Sequence, residues 1–507
     1  MRFGFTTTII VLATVSALAS AAAQDSKTVT TSDKSEDKPP PPPPIVSVTQ
    51  HKGVFGGTAI SYTATTGETY LKDKDGKPTA AIFATSYVKQ GSDPRRPVTF
   101  LFNGGPGSGS VWLHMGAFGP KRVHLPDAKD DGGPPYNITD NPDSLLDATD
   151  LVFIDPVGTG FSKALGKTEA KSFWGITSDA KSVAAFIRIW LRENGRWNAP
   201  KFLGGESYGT TRSAAVVHEL EGAYNDVALD GVILMSTILD FGVEAETEGN
   251  EMQYVVTLPS MAATAWYHKH LPQQPAAVEP FVAEARAFAS GPYVLVLLKG
   301  NALSPAEHNA IRQQLAHFTG LSETFLENSN LRVTPDRFYK ELLRDRGLTI
   351  GRLDTRYTGV DYDRAGDSPD NDPSFYGIDG AYTAAINSYL RSDLGLKIDR
   401  EYSTIGEVQG WDWRLGGERG DRGAYLNVAP YLSRAMRENS RLKVFVAQGY
   451  FDFATPFFAA EYSLTRPGFL DGRVEFHYFQ AGHMMYIHDR DLRKLSTDVR
   501  DFIRRQE

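Results

Sequence analysis

Apolar residues fall along the chain at two different periods. Val98-Thr99-Phe100-Leu101-Phe102 is a short β-rich run that ends in a glycine-rich turn, and Leu151-Val152-Phe153-Ile154 is another that ends at Asp155-Pro156. Both predict buried strands. From Ser178 to Asn194 the apolar positions Val183, Phe186, Ile187, Trp190 and Leu191 follow helical spacing, with Ser178 as the expected cap and Gly195 as the expected stop. Lys201-Phe202-Leu203 predicts a strand running into Gly204-Gly205, and Thr211 to about Glu221 a helix. Gly231-Val232-Ile233-Leu234-Met235 predicts the next buried strand.

Strands that alternate with helices imply a mostly parallel sheet covered on both faces. Residues 240–400 break that rhythm with helix-like and irregular polar sequence, and are expected to form an inserted, largely helical cap. The rhythm returns with Leu442–Val446, Val474–Tyr478 and an amphipathic helix from about Asp489 to Arg505. The expected organisation is a core over 45–239, a cap over 240–400 and the rest of the core over 401–507.

The first 44 residues differ. Arg2 precedes an apolar run from Phe5 to Leu18, and Ala19-Ser20-Ala21-Ala22-Ala23 follows. This predicts a signal peptide over 1–23, cleaved near Ala23. A retained membrane anchor is the rival reading, but the run is short for a span. Residues 24–44 are polar and then run through Pro39–Pro44, a semi-rigid linker. No other stretch reads as a membrane span. The expectation is a periplasmic or extracellular enzyme with no stable membrane insertion after cleavage.

The chain has 507 residues, 41% of them hydrophobic, which is enough for a large core. Its net charge of -8 is spread among interspersed acids and bases, which argues against nucleic acid as a partner. There is no cysteine. Disulfides, thiolate catalysis and Cys-bound zinc are therefore excluded, and an exported protein without disulfides suggests a bacterial source.

Four motifs carry chemistry. Gly205-Glu206-Ser207-Tyr208-Gly209 fits the G-x-S-x-G nucleophile elbow, with a strand before it and a helix after it. The glycines allow a sharp turn that lifts the serine hydroxyl clear of the sheet. Alone, the short pattern also fits a plain strand–turn–helix without catalysis, which is the minority reading in this context. Asn103-Gly104-Gly105-Pro106-Gly107-Ser108-Gly109-Ser110 follows a strand directly and can aim backbone N–H groups at an oxyanion, together with the N–H of Tyr208. A phosphate loop would need Gly-Lys-Ser/Thr, which is missing. Asp452 follows one apolar strand and His483 follows the next, so the chain order is Ser, Asp, His. His483 would act as the base toward Ser207, and Asp452 would orient the imidazole.

These residues resemble the serine carboxypeptidase family of the α/β-hydrolase superfamily. The resemblance rests on Asn103-Gly-Gly-Pro-Gly107, Asp155-Pro-Val-Gly-Thr-Gly-Phe-Ser162, Gly205-Glu-Ser-Tyr208, Gly449-x-x-Asp452-Phe453 and Gly482-His-Met484. It implies an α/β-hydrolase fold, no cofactor or metal, and removal of C-terminal residues from peptides through an acyl-enzyme. It also implies a triad of Ser207, Asp452 and His483, oxyanion amides at Gly105 and Tyr208, and binding of the substrate carboxylate by Asn103 and Glu206. A protonated Glu206 would be needed for that last role, which favours acidic pH. Three positions depart from the family pattern. Leu101 stands where a Trp is usual, Ala117 where a second recognition Glu is usual, and Ser108 where a Cys is usual. The first two bear on carboxylate recognition, not on the hydrolytic machinery. They keep open an esterase or acyltransferase with the same three residues. A non-catalytic binding protein on this scaffold is disfavoured, because no triad member is lost.

Other candidates are weaker. Asp361, Asp363, Asp367, Asp370 and Asp372 surround Gly366 like a broken calcium loop, with Ala365 at the fifth position. A polar cap loop is the better reading. His268 and His270 lack an evident acidic partner for a metal. Trp112, His114 and Trp174 could line the substrate cleft, with core packing equally plausible.

Overall fold

The computed structural model describes residues 42–222, 227–415 and 425–505. The expected signal peptide, and the linker up to residue 41, lie outside the described residues. Nine strands make the body of one sheet, in the order Val46–Phe55, Thr58–Lys72, Pro78–Lys89, Asp150–Asp155, Val98–Phe102, Lys201–Ser207, Gly231–Thr237, Lys443–Gly449 and Val474–Phe479. The two-residue strand Lys163–Ala164 adds to the third. The first four are joined by antiparallel pairings, and from Asp150–Asp155 onward every pairing is parallel.

The parallel strands are short, buried apolar runs because both faces of the sheet are covered. Phe83, Leu101, Phe153, Ile233 and Phe445 point into one cluster, against Leu492, Leu495, Val499 and Phe502 of the C-terminal helix Asp489–Arg504. Ile82, Phe100, Val152, Leu234 and Val446 point into the other. That side is closed by the helices Ile176–Glu193 and Tyr208–Glu221. The alternation by twos follows from the strand pleat. Each large apolar side chain so buried contributes about 1.5–3 kcal/mol.

Two element starts differ from the sequence reading. The first helix begins at Ile176, and Ser178 is inside it rather than capping it. The Ile176 N–H donates to the Asp412 carbonyl instead, so a distant segment does the work of a cap. The elbow helix begins at Tyr208, immediately after Ser207, not at Thr211. The antiparallel strands over 46–89, the first two alternating in exposure and the third buried along most of its length, were not individually evident in the sequence.

Between the strands Gly231–Thr237 and Lys443–Gly449 come mainly helices, among them Met252–Tyr267, Val278–Phe288 and Pro305–Thr319. They share their own apolar cluster, which includes Leu258, Phe281, Phe318 and Phe338. One correction arises here. Among the described residues, the run Val278–Ala302 is long and apolar enough to cross a membrane by length and composition. It is interrupted at Pro292 by a wider helical turn over Ala289–Tyr293, and its Phe281, Ala285, Phe288 and Leu297 are buried in that cluster. Its hydropathy thus arises from a core helix whose apolar positions the sequence reading passed over.

Candidate active site

Every chemistry-bearing residue leaves the sheet at the same edge. The glycine loop starts at Asn103, directly after the strand Val98–Phe102. Ser207 ends the neighbouring strand, Asp452 follows Lys443–Gly449, and His483 follows Val474–Phe479. These are carboxyl ends of parallel strands, where open α/β sheets place their ligands.

Ser207 has φ 60° and ψ −132°, a left-handed conformation costly for a residue with a side chain. The packing around it explains how the turn is held. A Cβ on Gly205 would lie 2.1 Å from the Gly209 carbonyl oxygen, and one on Gly104 would lie 2.5 Å from the Tyr208 nitrogen. The glycine loop therefore rests on the backbone of the elbow. Tyr208 opens a helix, so its N–H has no partner one turn back. Gly105 faces the same cavity, and among the described residues its N–H donates to no backbone carbonyl.

His483 and Asp452 are both buried. His483 Nδ1 lies 2.8 Å from Asp452 Oδ2. Asp452 Oδ1 accepts the Ala454 and Thr455 amides at 2.8 and 3.0 Å, and Oδ2 also accepts the Thr455 hydroxyl at 2.7 Å. With the carboxylate saturated in this way, Nδ1 carries the proton and Nε2 is left as the basic nitrogen. Burial pulls the His483 pKa down, but the charge and hydrogen bond of Asp452, helped by Glu206, outweigh it and leave the imidazole above its ordinary value. The loop is fixed at two further points. His483 N–H donates to the Leu353 carbonyl at 2.7 Å, and Ser236 Oγ donates to the His483 carbonyl at 2.6 Å.

Glu206 is buried beside Ser207. Burial pushes its carboxyl up to about 7, against the opposing pull of the His483 charge and of hydrogen bonds from Tyr486 and Asn103. Asn103 Oδ1 accepts the Leu113 amide at 3.0 Å, which turns its NH2 toward Glu206 and Tyr486. A cavity of about 360 Å³ joins Asn103, Gly105, Glu206, Ser207 and His483. Trp112, Phe375, Ile405 and Met484 give it apolar walls.

Residues 64–277 match the family model for serine carboxypeptidases. This stretch, which holds the glycine loop and Ser207, is where the chain is similar to the serine carboxypeptidases. No curated protein sequence matches it. Among solved structures it is similar to a prohormone-processing carboxypeptidase of Saccharomyces cerevisiae, at 15% identity and a TM-score of 0.51, over 88% of this chain and 91% of that one. It is also similar to a monoglyceride lipase of the same yeast, at 12% identity and a TM-score of 0.34, over 86% and 94% of the two chains. The first likeness supports the α/β-hydrolase fold.

Of the residues singled out from the sequence, Asn103, Gly105, Glu206, Ser207 and His483 line this one cavity, and Asp452 stands behind His483. Leu101 and Ala117 are fully buried in the core and do not line the cavity. Leu101 fills the space above Gly204, where a Cβ would come within 2.5 Å of its side chain. Of the aromatic candidates, Trp112 lines the cavity. His114 is buried against Phe153 with its Nε2 on the Tyr87 hydroxyl, and Trp174 packs at Gly158. The acidic residues of the stretch 361–372 are used within the fold. Asp361 pairs with Lys340, Asp370 accepts the Tyr362 amide, and Asp372 binds the amides of Arg352 and Ser374. His268 bonds the Thr355 carbonyl through Nε2, and His270 lies 3.5 Å from Asp345.

Several supports were missed. Ser236, Tyr486 and Leu353 have no motif of their own and act through contacts distant in sequence, and Thr455, three residues after Asp452, has no motif that marks its hydroxyl. Arg212 is fully buried, bonds Asp179 at 2.6 Å, donates to the Asn103 carbonyl, and stacks over Tyr208. Its place one helical turn after Tyr208 was the only available signal.

Proposed function

We propose that this chain is a serine carboxypeptidase that removes residues from the C-termini of peptides by acyl transfer through Ser207. The observation that carries the reading is the 2.8 Å Asp452–His483 pair at the edge where the strained Ser207 is presented. His483 Nε2 takes the hydroxyl proton as Ser207 Oγ attacks the scissile carbonyl carbon. The amides of Gly105 and Tyr208 receive the developing oxyanion. The proton then passes to the leaving amine, the C–N bond breaks, and an acyl-enzyme ester remains. Water, activated by the same imidazole, hydrolyses the ester and regenerates Ser207.

Asn103 and Glu206 are the proposed ligands of the substrate's terminal carboxylate. A neutral Glu206 donates a hydrogen bond to that anion, whereas an ionised one repels it. The buried, apolar setting of Glu206 supports the neutral form. The apolar run Phe5–Leu18 with its small-residue tract supports export from the cytoplasm, and the absence of cysteine supports a bacterial source.

A fluorophosphonate probe tests the nucleophile. The wild-type chain is expected to be labelled and Ser207→Ala not. Labelling that survives this change overturns the assignment. Hydrolysis of simple esters with no trimming of free-acid peptides would instead favour the esterase alternative that Leu101 and Ala117 keep open.

A further inference from the structure

The cavity contains one charged group that the mechanism above does not use. Arg352 lines it together with Ser207, Glu206 and His483. Its backbone is pinned. The Arg352 N–H donates to Asp372 Oδ1 at 3.0 Å, the Leu353 N–H to Ser374 Oγ at 3.0 Å, and the Arg352 carbonyl accepts the Phe453 N–H at 3.2 Å. Leu353, the next residue, holds the His483 amide. The segment is thus built into the walls of the site.

The side chain is not tied down. Among the described residues, the exposed Arg352 guanidinium forms no ion pair and no hydrogen bond. This contrasts with Arg356 four residues on, which is buried and paired with Asp354 and Asp127. The acid nearest in the cavity wall, Asp372, is occupied by backbone amides and the Ser374 hydroxyl. Glu244 and Glu246 feel the Arg352 charge without bonding it. A guanidinium presents donors in a planar fork suited to a carboxylate. Left unpaired at the wall of a catalytic cavity, it is a ready counter-charge.

We infer that Arg352 binds a carboxylate of the peptide substrate and selects for substrates that carry one beside the scissile bond. The inference rests on the peptidase reading. It gives the site a cation on the cap side, whereas position 117, where the family usually has a recognition acid, carries only a buried Ala. The carboxylate has two possible sources: the free C-terminus, or an acidic side chain next to the scissile bond. Both have the same chemistry.

Protection of Ser207 from a fluorophosphonate tests this without requiring turnover. N-acetylated peptides are compared in matched pairs: free acid against C-terminal amide, and Asp or Glu against Asn or Gln in the last two positions. The wild type should be protected better by the carboxylate member of at least one pair. Arg352→Gln should lose that preference by roughly tenfold or more, the scale of a charge-assisted hydrogen bond, while protection by the carboxamide member stays put. Arg352→Lys should keep part of it. The pair that responds identifies the carboxylate. The unhindered labelling rate of each variant reports an intact fold. If peptides protect wild type and Arg352→Gln with the same preferences, the inference fails and the peptidase reading stands. If no peptide protects a wild type that is readily labelled, the peptidase reading fails and this inference with it.

Discussion

The Tyr486 hydroxyl donates a 2.7 Å hydrogen bond to Glu206 Oε2, deep in the wall beside Ser207. A carboxyl one residue from the proposed nucleophile is thereby held in place by a phenol from the segment that follows His483. The bond favours ionisation of Glu206, yet burial prevails and the carboxyl titrates at about 7.

That balance sets a pH dependence. Glu206 holds its proton below about 7 and gives it up as pH rises through that value. Donation to a substrate carboxylate is therefore available on the acidic side and is lost above it. KM for a free-acid peptide should climb as pH rises through about 7, whereas KM for the matching C-terminal amide should not. Glu206→Gln should flatten that limb. His483 works in the opposite sense, because it must be neutral to accept the serine proton, so kcat should fall toward acid. Steady-state kinetics over a pH series separate the two. A free-acid KM that ignores pH in the wild type would count against a role for Glu206.

The Asp452 cradle predicts a graded response. Asp452→Asn should leave the fold in place and lower kcat by about four orders of magnitude, because the imidazole then settles in the wrong tautomer. Thr455→Val removes the 2.7 Å hydroxyl bond to Oδ2 and the longer 3.3 Å contact with His483 Nδ1 but leaves the backbone amides, so a loss of about tenfold is expected. Single-turnover rates on an activated ester give both values. Equal losses would mean that Thr455 does more than support the Asp452 carboxylate, as its contact with His483 Nδ1 would allow.

Gly104 gives a steric test of the elbow. An Ala Cβ would lie 2.5 Å from the Tyr208 nitrogen and 2.7 Å from the Glu206 carbonyl oxygen. Backbone must move on one side or the other, and displacement of an oxyanion donor by about 1 Å can cost about a hundredfold. Gly104→Ala should therefore slow fluorophosphonate labelling by that order while circular dichroism stays native. Gly132→Ala, with nothing within 4 Å of its Cβ but a φ of 70°, should leave labelling unchanged. Equal labelling of Gly104→Ala and wild type would refute the close approach.

The legibility of the site in the sequence follows from where its information resides. Ser207, Asp452 and His483 each sit just past a short apolar run, so periodicity located the strand and local chemistry located the residue. The parallel strands from Val98 onward are continuous apolar runs and were readable for the same reason. Supports that act across the fold were not. Thr455 and Ser236 are ordinary polar residues until the loops meet at His483. Arg212 looks like a surface charge on a helix until the Asp179 pair and the Tyr208 ring bury it. The start of the helix at Ile176 depends on an Asp412 carbonyl more than 200 residues away, and no local cap could announce it. Arg352 lies in an irregular stretch, and its place in the cavity wall appears only when the cavity is seen whole.

The central claim is that Ser207 drives removal of single residues from free C-termini. Mass spectrometry of an N-acetylated peptide, incubated at acidic pH with wild type or Ser207→Ala, tests it most directly. The account predicts a ladder of products that lose one residue at a time from the C-terminus, no ladder from the C-terminal amide, and intact peptide with Ser207→Ala. Internal cleavage, or a ladder that persists in Ser207→Ala, would contradict it.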